Sequence, residues 1–224
     1  MIVVQRGKEP NSLLAFRKQN PDADYEDLPT NVLKDIRKQM WEEQGQLCAY
    51  CMKKINDPGV VRVEHCRPRH PQNEMEHNKK ETLDFKWMLG VCYGNSIEKG
   101  VKPEDTTCDA HKGNAELTVN PFDELSVRKI KYKADGSIYS EDADINEDVT
   151  ETLNLNCQAV SLPQTRKNVL MAEKKRIMDK CKGKSQDAFM RELERTYEKL
   201  VQERNLIPYC GIIISWLEHK LKIS

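Results

Sequence analysis

Residues 108–114 read Cys-Asp-Ala-His-Lys-Gly-Asn, and residues 48–51 read Cys-Ala-Tyr-Cys. The fold turns on whether these two stretches build one site. The Cys-x-x-Cys spacing lets Cys48 and Cys51 reach a single ion from a tight turn, and Cys92 and Cys108 complete a tetrahedral set of four thiolates. Segment 93–107 contains two Gly and one Pro, so it reads as a loop that leaves this knuckle and returns. His111, in a compact Cys-x-x-His with Cys108, is the rival fourth ligand. Two further readings stand beside the zinc site. One is a redox Cys-x-x-Cys, which lacks a surrounding βαβ pattern. The other is four separate buried thiols, common for free Cys, but here in the stretch poorest in core-forming patterns.

Outward from these stretches, residues 47–122 are rich in Cys, His, Pro, Gly and Asn and suit a small metal-stapled fold. Within them, "VVRVEH" reads as a short strand and "DFKWMLGVC" as a short helix or strand. Upstream, "PNSLLAFRKQNP" reads as a short helix between Pro10 and Pro21. Val32, Leu33, Ile36, Met40 and Trp41 mark a second helix that Gly45 stops. Downstream, "SVRKIKYKADGSIYSE" predicts a hairpin on a two-residue Asp135-Gly136 turn. From about residue 145 the chain reads as helical, in "INEDVTETLNLN", "LPQTRKNVLMAEKKRIMDKC", "SQDAFMRELERTYEKLVQERN" and the more apolar "YCGIIISWLEHKL". The expected organisation is a helical arm (1–45), a metal-rich module (46–122), a hairpin (123–144) and a C-terminal helical bundle (145–224). The fold class is α+β, a small zinc-stapled module embedded in a mainly α-helical protein.

Composition sets the limits. The chain has 224 residues, 32% charged and 38% hydrophobic, which is a globular balance. The longest apolar run, "CGIIISWL", is too short to cross a bilayer, so no membrane partner is expected. No secretory signal is seen, so the eight Cys are expected reduced and the protein cytoplasmic. Cys157, Cys181 and Cys210 read as fillers, and Cys66 as a packing residue beside His65. A formal net charge of +0 argues against a cationic coat but leaves room for a local basic site, with affinity for nucleic acid helped by a partner subunit.

Between the two halves of the staple, Glu64 and His65 end a β-prone run, flanked by Arg62, Arg67 and Arg69. The order Cys-x-x-Cys, acid-His, Cys, then "CDAHKG" resembles the HNH endonuclease family and its ββα-metal fold, over roughly residues 46–122. The inserted loop, "LGVCYGN" and "LTVNPFDE" look like the HNH effector subunits of Septu and retron-Septu anti-phage systems. The resemblance implies His65 as general base, Glu64 and Asp109 as catalytic residues holding Mg²⁺ or Mn²⁺, and Cys48, Cys51, Cys92 and Cys108 on structural zinc. It implies Lys112 facing phosphate, with Arg67 and Arg69 as further nucleic-acid contacts. His111 is open between catalytic metal, zinc and phosphate. The implied partners are a nucleic-acid substrate, a PtuA-like ATPase and, in retron systems, a reverse transcriptase with its RNA–DNA product. The sequence departs from the family at two places. Trp87 stands where a middle Asn orients the His, with Asn95 a candidate substitute, and Asp109 replaces an Asn. The chemistry is self-consistent, since an imidazole can deprotonate water and a hard metal can neutralise phosphate. The rival classes are a zinc-stapled nucleic-acid-binding module without catalysis and a partner-binding scaffold. "RKIKYK" is a second basic strip, or simply a solvated strand face.

Overall fold

The computed structural model describes residues 1–67, 79–202 and 206–223, with backbone only at 79 and 80. Two helices open the chain, α1 (Asn11–Gln19) and α2 (Thr30–Glu43). Pro10 and Pro29 stand just before their first residues, where a missing N–H costs nothing. Val32, Ile36 and Met40 of α2 recur every four residues and are buried on one face, with Leu13 of α1 in the same cluster. After Gln44, the helix gives way to a left-handed Gly45 at φ 61°.

Strand β1 (Arg62–His65) pairs antiparallel with β2 (Met88–Val91), placing Glu64 opposite Leu89 and His65 opposite Met88. "DFKWMLGVC", read as helix or strand, is both in turn: a 3₁₀ turn over Phe85–Trp87 runs straight into β2. A four-residue α3 (Lys79–Thr82) precedes it, and a five-residue α4 (Cys108–Lys112) carries "CDAHK". Buried Gln44 ties the pieces together. Its Nε2 donates to the Leu47 and Gly90 carbonyls (2.9 and 2.6 Å), and its Oε1 accepts from the Gly90 N–H (2.8 Å).

The expected hairpin exists with a different turn and shorter arms. β3 (Ile130–Tyr132) pairs with β4 (Ile138–Ser140). Asp123 caps a short helix, α5 (Glu124–Arg128), through the Leu125 N–H, which takes the first arm residues out of the strand. The turn is a three-residue loop. Gly136 N–H donates to Lys133 O, Lys133 N–H to Ser137 O, and Gly136 holds φ 88°. Lys129 pairs with Asp142 and Lys131 with Glu141, so two lysines of "RKIKYK" already have acidic partners, as a solvated face does.

Next come α6 (Ala143–Glu147), a π-helical turn (Asp148–Thr152), α7 (Leu162–Cys181), α8 (Gln186–Gln202) and α9 (Cys210–Leu221). Helix thus stops at 152 in the segment expected to be helical to 156. Buried Arg166 of α7 clamps the hairpin by donating to Gly136 O (2.6 Å) and Leu155 O (2.8 Å). One hydrophobic cluster spans the arm, the central segment, the hairpin and the chain to Leu162. A second joins α7, α8 and α9. Leu47 and Met52 belong to the second, while Cys48, Ala49, Tyr50 and Cys51 between them belong to the first. The Cys-x-x-Cys turn is therefore the seam between the two cores. No helix among the described residues is long and apolar enough to cross a membrane.

Candidate metal centre and acid–imidazole site

Four sulfur atoms, from Cys48, Cys51, Cys92 and Cys108, lie within 4.8 Å of one another, and no other group of three or more His, Cys, Asp or Glu gathers so among the described residues. Cys48–Cys108, Cys51–Cys92 and Cys92–Cys108 are 3.9, 3.7 and 3.8 Å apart. A tetrahedron with zinc–sulfur bonds of ~2.3 Å has edges of ~3.8 Å, so the set is compatible with a structural zinc ion. Backbone geometry holds each half. Met52 N–H donates to Cys48 O, Cys48 N–H to Lys53 O, and Lys53 N–H points at Cys51 Sγ (3.4 Å), under a left-handed Met52. Cys108 N–H donates to Leu153 O (2.9 Å), so the π-helical turn buttresses the second half. Hydrogen bonds from the other three cysteines, and burial, push the Cys108 thiol well above its ordinary value. Four crowded thiols resist ionising together until a cation neutralises them. No disulfide joins any cysteine among the described residues.

Gly94 sets the return of the insert. It sits at φ 54°, and a Cβ there would lie 1.9 Å from the Thr107 carbonyl oxygen, whose residue directly precedes Cys108. Gly94→Ala is therefore expected to cost roughly 2–4 kcal/mol in urea unfolding and to lower zinc content in metal analysis, because both strain and backbone contact oppose it.

Beyond the thiols lies a charged cluster. Glu64 Oε1 accepts from Lys112 Nζ at 2.8 Å and from the Tyr50 hydroxyl at 3.0 Å. The Lys112 and Glu64 side chains are 1% and 7% exposed. Asp109, one turn earlier on α4, pairs with Arg62 at 3.1 Å. Burial and then the adjoining Asp109 carboxyl push Glu64 up to about 7, and Lys112 only partly offsets this. The two neighbouring carboxylates are thus each paired with a cation, Glu64 with Lys112 and Asp109 with Arg62. Lys112, expected to face phosphate, instead points inward as the counter-ion of Glu64, since a buried carboxylate demands a partner.

His65 is buried at 5% exposure. Its Nε2 lies 2.9 Å from the Thr82 carbonyl. A carbonyl only accepts, so the ring donates Nε2–H there. The group that holds the ring is thus Thr82 and not Asn95, the candidate offered by the sequence. Trp87 is engaged otherwise. Its carbonyl accepts from the Cys66 N–H (2.9 Å), and Arg67 stacks on its ring at 4.3 Å. Asn95 donates to the Asp105 carbonyl within the insert. Cys66 packs against the main core, its thiol pushed up to about 12, first by burial and then by Glu64.

His111 is not drawn into either group. Its Nδ1 lies 3.3 Å from the Pro103 carbonyl and the Thr106 hydroxyl, so the group that gathers is four thiols, Cys92 and Cys108 both included, without an imidazole. Arg67 is exposed and also pairs with Glu81 (3.2 Å). Arg69, His70 and His77 lie outside the described residues, and His219 is exposed in the last turn of α9. Sequence reasoning missed Tyr50, Thr82 and Gln44, polar groups whose partners are distant in the chain. Compared with known proteins, the chain matches no protein-family profile and no curated protein.

Proposed function

We propose that this chain is a metal-dependent HNH-type endonuclease, a PtuB-like effector of a bacterial anti-phage complex with a PtuA-like ATPase. The observation that carries this reading is the setting of His65. It ends β1 with Nε2 held by Thr82, directly after Glu64, whose carboxylate adjoins Asp109 where β1 and α4 come together. The antiparallel β1–β2 pair followed by α4, stapled by four thiols, supports a ββα-metal arrangement.

Glu64 and Asp109 would hold the Mg²⁺ or Mn²⁺ ion, which when bound supplies charge stabilisation at the phosphate and the leaving oxygen. His65 takes a proton from water onto Nδ1. The water oxygen then bonds to phosphorus as the bond to the sugar oxygen breaks. Thr82 holds the ring through Nε2. Arg62, partly exposed and paired with Asp109, and exposed Arg67, two residues after His65, are the cations this reading assigns to a phosphate backbone.

The pairing of Glu64 with Lys112 and of Asp109 with Arg62 favours a second reading, a zinc-stapled nucleic-acid-binding or scaffold subunit without catalysis. The deciding experiment purifies the chain alone and with its operon partners, including any reverse transcriptase. Zinc-loaded protein is then assayed on duplex DNA, single-stranded DNA and total RNA with Mg²⁺, Mn²⁺ or neither. Cleavage that needs the divalent ion is expected. Binding without cleavage under every condition would leave the second reading standing.

A further inference from the structure

The N-terminal segment reaches the imidazole from two sides. Asp24 Oδ1 accepts from the Thr82 hydroxyl at 2.5 Å and from the Tyr25 N–H at 2.6 Å. Thr82, in turn, presents the carbonyl that fixes His65 Nε2. Tyr25 places its ring edge-on to the His65 ring, with centroids 4.8 Å apart and planes at 88°. Asp24 is itself locked, since it caps the 3₁₀ turn Tyr25–Asp27 in a reciprocal box in which its own N–H donates to Asp27 Oδ2 (2.8 Å). One carboxylate therefore governs both the hydrogen bond that selects the imidazole tautomer and the aromatic wall that sets the ring plane.

We infer that Asp24 is a positioning residue for His65, acting through the Thr82 carbonyl and the Tyr25 ring, and that the N-terminal segment is part of the functional site. This rests on the reading of His65 as the base. Outer partners that hold a functional imidazole in one tautomer typically matter by about 10- to 100-fold. An Asp is suited to the task because one carboxylate oxygen, with two lone pairs, can take the hydroxyl and the backbone N–H together.

The test compares Asp24→Ala, Asp24→Asn and Thr82→Val in the full chain, zinc-loaded and with its operon partners for the activity assay. The His65 ring nitrogens are read by ¹⁵N NMR at pH 8. Wild type is expected to show one tautomer, protonated at Nε2. Asp24→Ala and Thr82→Val are expected to mix the tautomers, and their kcat to fall by about 10- to 100-fold at unchanged KM. Asp24→Asn, whose amide oxygen still accepts from Thr82, is expected to restore both. Thr82→Val leaves the cap at Asp24 intact, so its effect is separate from loss of that turn. A single unchanged tautomer in both Asp24→Ala and Thr82→Val would overturn the inference. The ring nitrogens report even if the protein cleaves nothing, so failure of the nuclease reading is told apart from failure of this one.

Discussion

Cys48→Ser or Cys108→Ser is expected to unfold much of the protein, not only the loop that carries the residue. A serine hydroxyl does not ionise near neutral pH, so it leaves a structural zinc three-coordinate and the remaining thiolates crowded. The consequences spread because of where the staple sits. Leu47 and Met52 are anchored in the C-terminal cluster, and Cys48, Tyr50 and Cys51 in the main one. Cys108 is further tied to Leu153 and, through Thr107, to Gly94. Losing the ion releases the one turn that both cores share. Loss of a structural metal belongs with the largest single-site effects, about 4–5 kcal/mol or more, against a total stability of roughly 5–15 kcal/mol for a domain. Thermal melting with and without a zinc-selective chelator should show a large downward shift in wild type. The serine variants should start from the chelated value and shift no further. Wild-type melting unaffected by complete zinc removal would refute the staple.

His65→Gln is expected to abolish nucleic-acid cleavage while the protein stays folded and zinc-loaded. The glutamine amide can donate to the Thr82 carbonyl as Nε2–H does, so the buried acceptor at 2.9 Å is not orphaned. What is lost is the lone pair on Nδ1 and the imidazole's ability to carry a proton near neutral pH. General-base catalysis of this kind contributes about 10²- to 10⁴-fold, so a rate lowered by that factor at unchanged nucleic-acid affinity is the expected result. His65→Ala should lose as much activity and also some stability, because it removes the hydrogen bond to the Thr82 carbonyl and the edge contact with Tyr25. Full activity of His65→Gln in the complex would end the assignment of His65 as base.

Periodicity and spacing carried much of this structure. "LPQTRKNVLMAEKKRIMDKC" is α7 from end to end, with a buried face that recurs at helical spacing through Leu162, Arg166, Leu170, Glu173 and Ile177. The thiol quartet was legible for a similar reason, since four cysteines flanking short turns are a local pattern. The hairpin turn was not. A glycine after Asp135 serves either a two-residue or a three-residue loop, and capping of α5 by Asp123 shifted the arms. Lys112 was misdirected for a deeper reason. Whether a lysine faces solvent or a carboxylate depends on how α4 sits on β1, which no local pattern encodes.

By itself, then, the amino-acid sequence pointed to most of the helices, through apolar spacings of a few residues, and to the four thiols that gather, through the Cys-x-x-Cys turn and a loop that returns at Cys108. Only the tertiary structure decided what surrounds His65 and Glu64. Asp24, Tyr25 and Thr82 meet at the imidazole, and Tyr50, Lys112 and Asp109 at the carboxylate, from segments far apart in the chain. Burial makes each of these polar groups find a partner, and folding alone determines which partner is within reach.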